Sequence, residues 1–306
     1  MKLSKLALAF AFGAALTTGA QAADDGKYSV FLVTMDQIDQ HWVRMNDGAQ
    51  KAANELGNID LTWMAPDIKD DSKQIEVVNN AVAGGADVIM IAANGPTAIS
   101  SSLKEANAAG VKIIYVDSPA DFPALKTLAT NNMAAGETAG KTLLKHLNDK
   151  GITEGRIGII GVNAATNSTV SREMGFRTAF ANTNFELLET QYCDGDTAKA
   201  KDIAANYYNL GCIAVFGTNE GSTVGAGNAV RESGGEMVGI GFDKSDMVLS
   251  LVKNGQLIAV MAQNPDVMGY EGVKTAEKAM KGEDLGEEYV DTGVSIITKE
   301  NVEQFR

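Results

Sequence analysis

The segment QIEVVNNAVAGGADVIMIAANGPTAISSSLKEANAAGVKIIYVD, residues 74–117, decides the fold. It reads as helix, strand, helix, strand. Gln74–Gly84 and Ala98–Ala109 are amphipathic at helical spacing, whereas Val88–Ala92 and Ile113–Asp117 are unbroken apolar runs. A strand covered on one face alternates apolar and polar residues; a strand covered by helices on both faces does not. The same pattern extends outward. Further strands are predicted at Ser29–Met35, Ile59–Met64, Arg156–Gly161, Leu187–Cys193, Ile213–Gly217, Met237–Asp243 and Leu257–Ala262, with helices over Val43–Leu56 and Ala134–Leu147. This alternation predicts an α/β protein of doubly wound parallel sheets. Two sheets fit better than one. The first four units end at Asp117, the loop Ser118–Pro123 leads to a short segment Lys126–Thr130, and a second series starts near Arg156. No Pro- or Gly-rich linker separates the halves, so strands are expected to cross directly between two lobes.

Ligands of open parallel sheets bind beyond the carboxyl ends of the strands. The polar residues just past those ends are Asp36, Asp39, Asn94, Asp117, Asp194, Asp196, Asn219 and Asp243. Any one of them could cap a helix or shape a turn. Together they describe an acceptor-rich cleft suited to a neutral polyhydroxy ligand.

The chain opens with Lys2 and Lys5, an apolar run from Leu6 to Leu16, and Ala20-Gln21-Ala22. That is the pattern of a secretory signal peptide over residues 1–22, too short in its apolar part to span a bilayer. Export to a periplasm is expected, and it favours a carrier or receptor over a nucleotide-dependent enzyme. The whole chain carries a formal charge of −13, and loss of the leader lysines takes the remainder to −15. Such a field repels nucleic acid and anionic membranes. Cys193 and Cys212 are expected to stay unpaired, because they fall at opposite edges of a parallel sheet, roughly 15–20 Å apart.

Several motifs carry a family resemblance over nearly the whole chain after the leader. They are Gln40-His41-Trp42, Asp47-Gly48-Ala49-Gln50-Lys51, Val116-Asp117, Ala129-Thr130-Asn131-Asn132 with Gly136 and Gly140, and Arg172 before Gly175-Phe176. Val215-Phe216 leading to Asn219, Val238-Gly239-Ile240-Gly241-Phe242-Asp243, and Ala262-Gln263 with Pro265 complete the series. In this order the chain resembles periplasmic sugar-binding proteins of the ribose/galactose-binding type, exported relatives of the lactose-repressor ligand domain. The resemblance implies a type I periplasmic binding protein fold, two lobes joined by three crossing strands. The N-terminal lobe would be 23–129 plus 265–289, the C-terminal lobe 131–262 plus 293–306, and the hinge near 130, 263–264 and 290–292.

The resemblance also implies ligand contacts at Asp39, His41, Trp42, Asn94, Asp117, Arg172, Asn219, Asp243 and Gln263. Trp42 would be an aromatic platform for a sugar ring, or alternatively a hydrophobic staple at a helix start. Arg172 would donate its planar fork to neighbouring hydroxyls, or alternatively pair with Glu173 on a helix surface. The carboxylates accept from hydroxyl pairs, and the amides donate and accept together. His41 replaces one family aromatic and Gly195 another, which points to a more polar pocket for a polyol or short-chain sugar. An imidazole there implies pH-dependent affinity near its reference pKa of about 6.5.

Asp67, Asp70, Asp71 and Glu76 lack the spacing and central glycine of a calcium loop and read as a solvated helix start. No zinc pair, catalytic triad or phosphate loop is visible, so no cofactor, metal or catalytic residue is expected. The expected function is capture of a sugar or polyol and its transient delivery, by a monomer, to a membrane ABC permease. The alternatives are an autoinducer-2 or chemotaxis receptor on the same fold, and an exported sugar- or nucleoside-processing enzyme.

Overall fold

A computed structural model describes residues 26–305; the leader expected over residues 1–22 lies outside the described residues. The first sheet is parallel throughout. It contains β1 (Tyr28–Val33), β2 (Ile59–Met64), β3 (Val88–Ile91), β4 (Lys112–Val116) and β5 (Thr127–Ala129). Late in the chain β12 (Tyr289–Asp291) joins it beside β5, giving the order β12-β5-β4-β3-β1-β2. Helices α1 (Gln40–Leu56), α2 (Asp71–Ala83) and α3 (Ser100–Ala108) make the crossovers.

The second sheet holds β6 (Glu154–Gly161), β7 (Asn184–Leu187), β9 (Cys212–Gly217), β10 (Val238–Phe242) and β11 (Leu257–Gln263), all parallel. A last strand, β13 (Val294–Thr298), pairs antiparallel with β11 at the edge. Its helices are α4 (Asn132–Asp149), α5 (Asn167–Phe180), α6 (Thr197–Asn209), α7 (Glu220–Glu232) and α8 (Asp246–Lys253). The chain passes between the sheets after β5, after β11, and between β12 and β13. The helix after β11, α9 (Pro265–Lys281), packs back onto the first sheet. Two doubly wound lobes result, as the strand pattern predicts.

The unbroken apolar runs serve two cores each. In the first sheet Val30, Leu32, Val88, Met90, Ile114 and Val116 face α1 and α9. Their neighbours Phe31, Val33, Ile89, Ile91, Ile113 and Tyr115 face α2 and α3. This period of two, buried on both sides, explains why no alternation is visible in the sequence.

One strand departs from expectation. Leu187–Cys193 is not continuous: β7 ends at Leu187, and the two-residue β8 (Gln191–Tyr192) pairs separately with the end of β6. The gap is occupied by the Tyr207 hydroxyl, 2.9 Å from the Ile159 carbonyl and 2.7 Å from the Glu189 carbonyl. It takes the place of ladder hydrogen bonds between the strands. Cys193 donates its backbone N–H to Gly161, whereas Cys212 lies opposite Arg156. Five residues of β6 separate these points, about 16 Å of strand. Both thiols are free and buried, and burial raises the pKa of each to about 11.

Helix contact at glycines positions the cleft. A Cβ on Gly136 would strike the carbonyl oxygen of Arg172, and one on Gly175 would strike that of Met133. α4 and α5 therefore touch backbone to backbone, which brings Asn132 within reach of Arg172. Gly136→Val is expected to cost about 1–3 kcal/mol by overpacking, read as a lower melting temperature. An unchanged melt would mean the two helices separate freely.

Candidate functional site

The facing strand ends of the two sheets enclose a cavity of about 310 Å3, its mouth included. Eight of the nine expected residues line it: Asp39, His41, Trp42 and Asp117 from the first lobe, and Arg172, Asn219, Asp243 and Gln263 from the second. The ninth, Asn94, does not. Its side-chain amide donates to Asp71, its backbone N–H donates to Gln74, and its carbonyl accepts from Thr166 of the other lobe at 2.7 Å. Asn94 braces the lobe contact instead of facing the cavity.

Asp117 and Asp243 end β4 and β10 in the left-handed region, with φ of 61° and 75°. Asp tolerates that conformation better than most residues, and it turns each carboxylate into the cleft. Both grip the same imidazole. His41 Nε2 lies 2.9 Å from Asp117 Oδ2, and Nδ1 lies 3.5 Å from Asp243 Oδ1. Gln263 donates to the same Asp243 oxygen at 2.7 Å and accepts from Thr130 at 3.0 Å. Burial opposes the charged imidazole, but the two carboxylates against its nitrogens outweigh it and raise its pKa to about 10. Burial likewise works against ionised Asp243, and His41, Arg172 and Gln263 overcome it, holding the acid at about 2. Titration of His41 near 6.5, expected from its sequence position, is thus corrected: the ring is locked as an imidazolium.

The group poised near neutrality is Glu220, at the start of α7. It accepts from the backbone N–H groups of Gln40 at 3.3 Å and His41 at 3.2 Å across the cleft. Burial, with Asp39 and Asp243 nearby, raises its pKa to about 7. Arg44 donates to the Lys244 carbonyl and Asp246 N–H to Gln40 Oε1, so α1 is the main docking element between lobes. In this structure the two lobes touch across the cleft.

Arg172 is 2% exposed and its guanidinium lies 4.4 Å over the Phe242 ring. Its Nε donates to Asn132 at 2.8 Å and Nη1 to the Thr218 carbonyl at 2.9 Å. The surface pairing with Glu173 does not occur; Glu173 pairs with Arg177. Arg172 Nη2 has no hydrogen-bond partner and sits 4.0 Å from Asp117, and Asn219 Nδ2 is also unpartnered. Asn219 uses its other amide atom to cap α7 in a reciprocal box with Ser222. Buried donors of this kind are costly unless something accepts from them. Trp42 lines the cavity, packs in the first core, and donates to Asp36 at 3.2 Å.

The sequence missed Met35, Val162, Ser168 and Thr169, which complete the walls, and above all Lys69. Lys69 lies within the acidic run Asp67–Glu76, whose pattern reads as a solvated helix start. Asp67 is indeed exposed and Asp70 caps α2, but the Lys69 side chain is only 6% exposed. Its ammonium pairs with Asp36, and with Asp39 at 2.8 Å. Burial opposes ionisation of both acids; Lys69 nevertheless pulls Asp36 below its usual pKa, while Asp39, beside two other carboxylates, is raised. Among the described residues no group of three or more His, Cys, Asp or Glu side chains is arranged to hold a metal ion.

The periplasmic binding protein domain matches residues 30–284. The chain belongs to this family. This binding protein is 29% identical over 286 residues to the ribose import binding protein of Haemophilus influenzae, covering 92% of this chain and 94% of that one. Among solved structures, it resembles a carbohydrate transporter solute-binding protein of Agrobacterium radiobacter in complex with D-arabinose. The TM-score is 0.86 at 29% identity, covering 90% of this chain and 96% of that one. An ABC transporter solute-binding protein of Agrobacterium vitis, bound with α-D-tagatopyranose, gives a TM-score of 0.84 at 29% identity, covering 90% and 96%.

Proposed function

We propose that this binding protein captures one small sugar or polyol between its lobes and delivers it, chemically unchanged, to a membrane ABC permease. The observation that carries this reading is the shared cavity. Its polar groups come from strand ends of both sheets, so a ligand resting on one lobe gains the contacts of the other only on closure. Closure is favoured by that differential affinity. The unpartnered donors on Arg172 and Asn219 fit hydroxyl or ring oxygens, and the carboxylates fit hydroxyl protons. The similar proteins named with ribose, D-arabinose and tagatopyranose support a pentose or hexose cargo.

We assign 23–129 with 265–289 to one lobe and 131–262 with 293–306 to the other, hinged near 130, 263–264 and 290–292; of these bounds, 23–25 and 306 lie outside the described residues. Pairing of Asp291 with Ala129 favours placing the last crossing at Thr292. The leader pattern supports a periplasmic location, and among the described residues no helix is long and apolar enough to cross a membrane. Delivery by a monomer through transient docking completes the reading.

A thermal-shift screen of refolded, ligand-stripped protein against pentoses, hexoses and polyols tests it. Ligand at a hundredfold over Kd adds about 2.7 kcal/mol of stability, a clear rise in melting temperature. A selective rise, with the sugar recovered unchanged, is expected. Silence across the panel, or a converted sugar, would overturn the proposal.

A further inference from the structure

The cavity between the strand ends does not stand alone. A second hollow of about 650 Å3 opens beside it, and the two share Asp39 and Lys69 in their walls. One side of the hollow carries Ile38 and Ile68, 74% and 52% exposed; the other is the segment from Asp194 to Ala198. Lys69 crosses between them. It belongs to the first lobe, in the loop between β2 and α2, yet its chain lies flat against Gly195 of the second. A Cβ at position 195 would come 2.8 Å from Lys69 Nζ, 2.9 Å from Cδ and 3.0 Å from Cε. Gly195 also has φ +78°, so the absence of a side chain suits the backbone and leaves room for the lysine.

Two anchors hold Lys69 in this position. Asp36 and Asp39 both pair with the ammonium, and Asp36 is itself fixed by Trp42 Nε1 and by the backbone N–H groups of Ile38 and Asp39. Swinging the lysine aside would bare two largely buried carboxylates. We propose that Lys69 is a specificity-determining residue: a partition, completed on closure against Gly195, that limits the ligand to the inner cavity and excludes sugars extended toward the second hollow. This rests on the sugar-capture reading of the cleft.

The test compares wild type, Lys69→Ala and Lys69→Arg by calorimetric titration. The probes are D-ribose, D-arabinose and D-tagatose, the phenyl glycosides of both anomers, and their terminal O-benzyl ethers, which place an extension at either end of the sugar. Wild type is expected to bind at least one parent sugar and to reject its extended forms. Lys69→Ala should bind an extended form at least tenfold more tightly than wild type does. Lys69→Arg, which keeps the length and the charge that the two anchors hold, should keep the exclusion. A merely structural role would lower the melting temperature without changing this size ranking. Should Lys69→Ala fail to fold, Lys69→Ala with Asp36→Asn removes one bared charge and carries the same comparison. The partition is overturned if a parent sugar binds but the alanine variant gains no extended ligand. It is equally overturned if wild type already accepts extended forms, or if Lys69→Arg admits them as readily as alanine. Failure of every parent sugar to bind overturns the capture reading itself, and the partition with it.

Discussion

Replacing Asp243 with alanine is expected to weaken binding of the cognate sugar by at least about 2 kcal/mol, roughly 30-fold in Kd. The carboxylate is buried and engages His41 and Gln263 at once, so its loss removes a charge-assisted acceptor and leaves both partners facing an empty wall. Alanine brings a second effect. At φ 75° it occupies a region disfavoured for residues with a Cβ, and the fold should be destabilised as well. Asp243→Asn separates the two, because asparagine tolerates the left-handed region and keeps the shape while losing the charge. Calorimetric titration of both variants should therefore show weakened binding, with the larger drop in melting temperature confined to alanine. Wild-type affinity in the asparagine variant would place the ligand elsewhere.

The second large effect is on pH. The His41 pKa is raised from 6.5 to about 10 in the closed form, so the imidazolium contributes its full stabilisation below 6.5 and loses it as pH rises toward 10. Glu220 is raised from 4.5 to about 7, so the closed form binds its proton more tightly, and stability falls as pH climbs through that window. The two ranges join. Ligand-free protein should lose melting temperature progressively from about pH 5 to pH 10, with small-angle scattering reporting an opening of the lobes at the alkaline end. Asp243, held at about 2, limits the acid side, where stability falls as pH drops from 3.8 through 2. His41→Phe should flatten the alkaline limb and leave the Glu220 limb in place. If the phenylalanine variant follows the wild-type curve up to pH 10, the imidazolium is not what links the lobes.

Much of this was legible in the chain. The two-sheet organisation follows from apolar runs bounded by helical segments, since helix-covered strands leave no other pattern. The strand-end carboxylates follow from topology alone, because open parallel sheets bind ligands at those ends. What stayed hidden depends on partners far away in sequence. Lys69 carries no local signal of burial, because its partners Asp36 and Asp39 lie about thirty residues earlier. The break between β7 and β8 is made by Tyr207, on a helix outside the local window. Asn94 had the right position at a strand end, but Asp71 and Thr166 claim it for the lobe contact. His41 had a reference pKa in the sequence and acquires another only when two lobes bring two carboxylates to one ring.

The three crossings between sheets also govern the order in which the molecule can be made. The first sheet lacks its edge strand until Tyr289–Asp291 arrives, and the second lacks its antiparallel edge until Val294–Thr298 follows. At the crossings Thr292 N–H reaches back to Ala129, and the Tyr289 hydroxyl reaches back to Thr130. Neither lobe is a contiguous stretch of chain, so neither can finish as it emerges from the ribosome. Contacts spanning about 160 residues cannot form before this last segment exists, and long-range closure of this kind is slow. The topology keeps the nascent polypeptide incomplete until its final segment is synthesised, which is the condition a chain needs if it is to be threaded unfolded through a membrane pore before it folds.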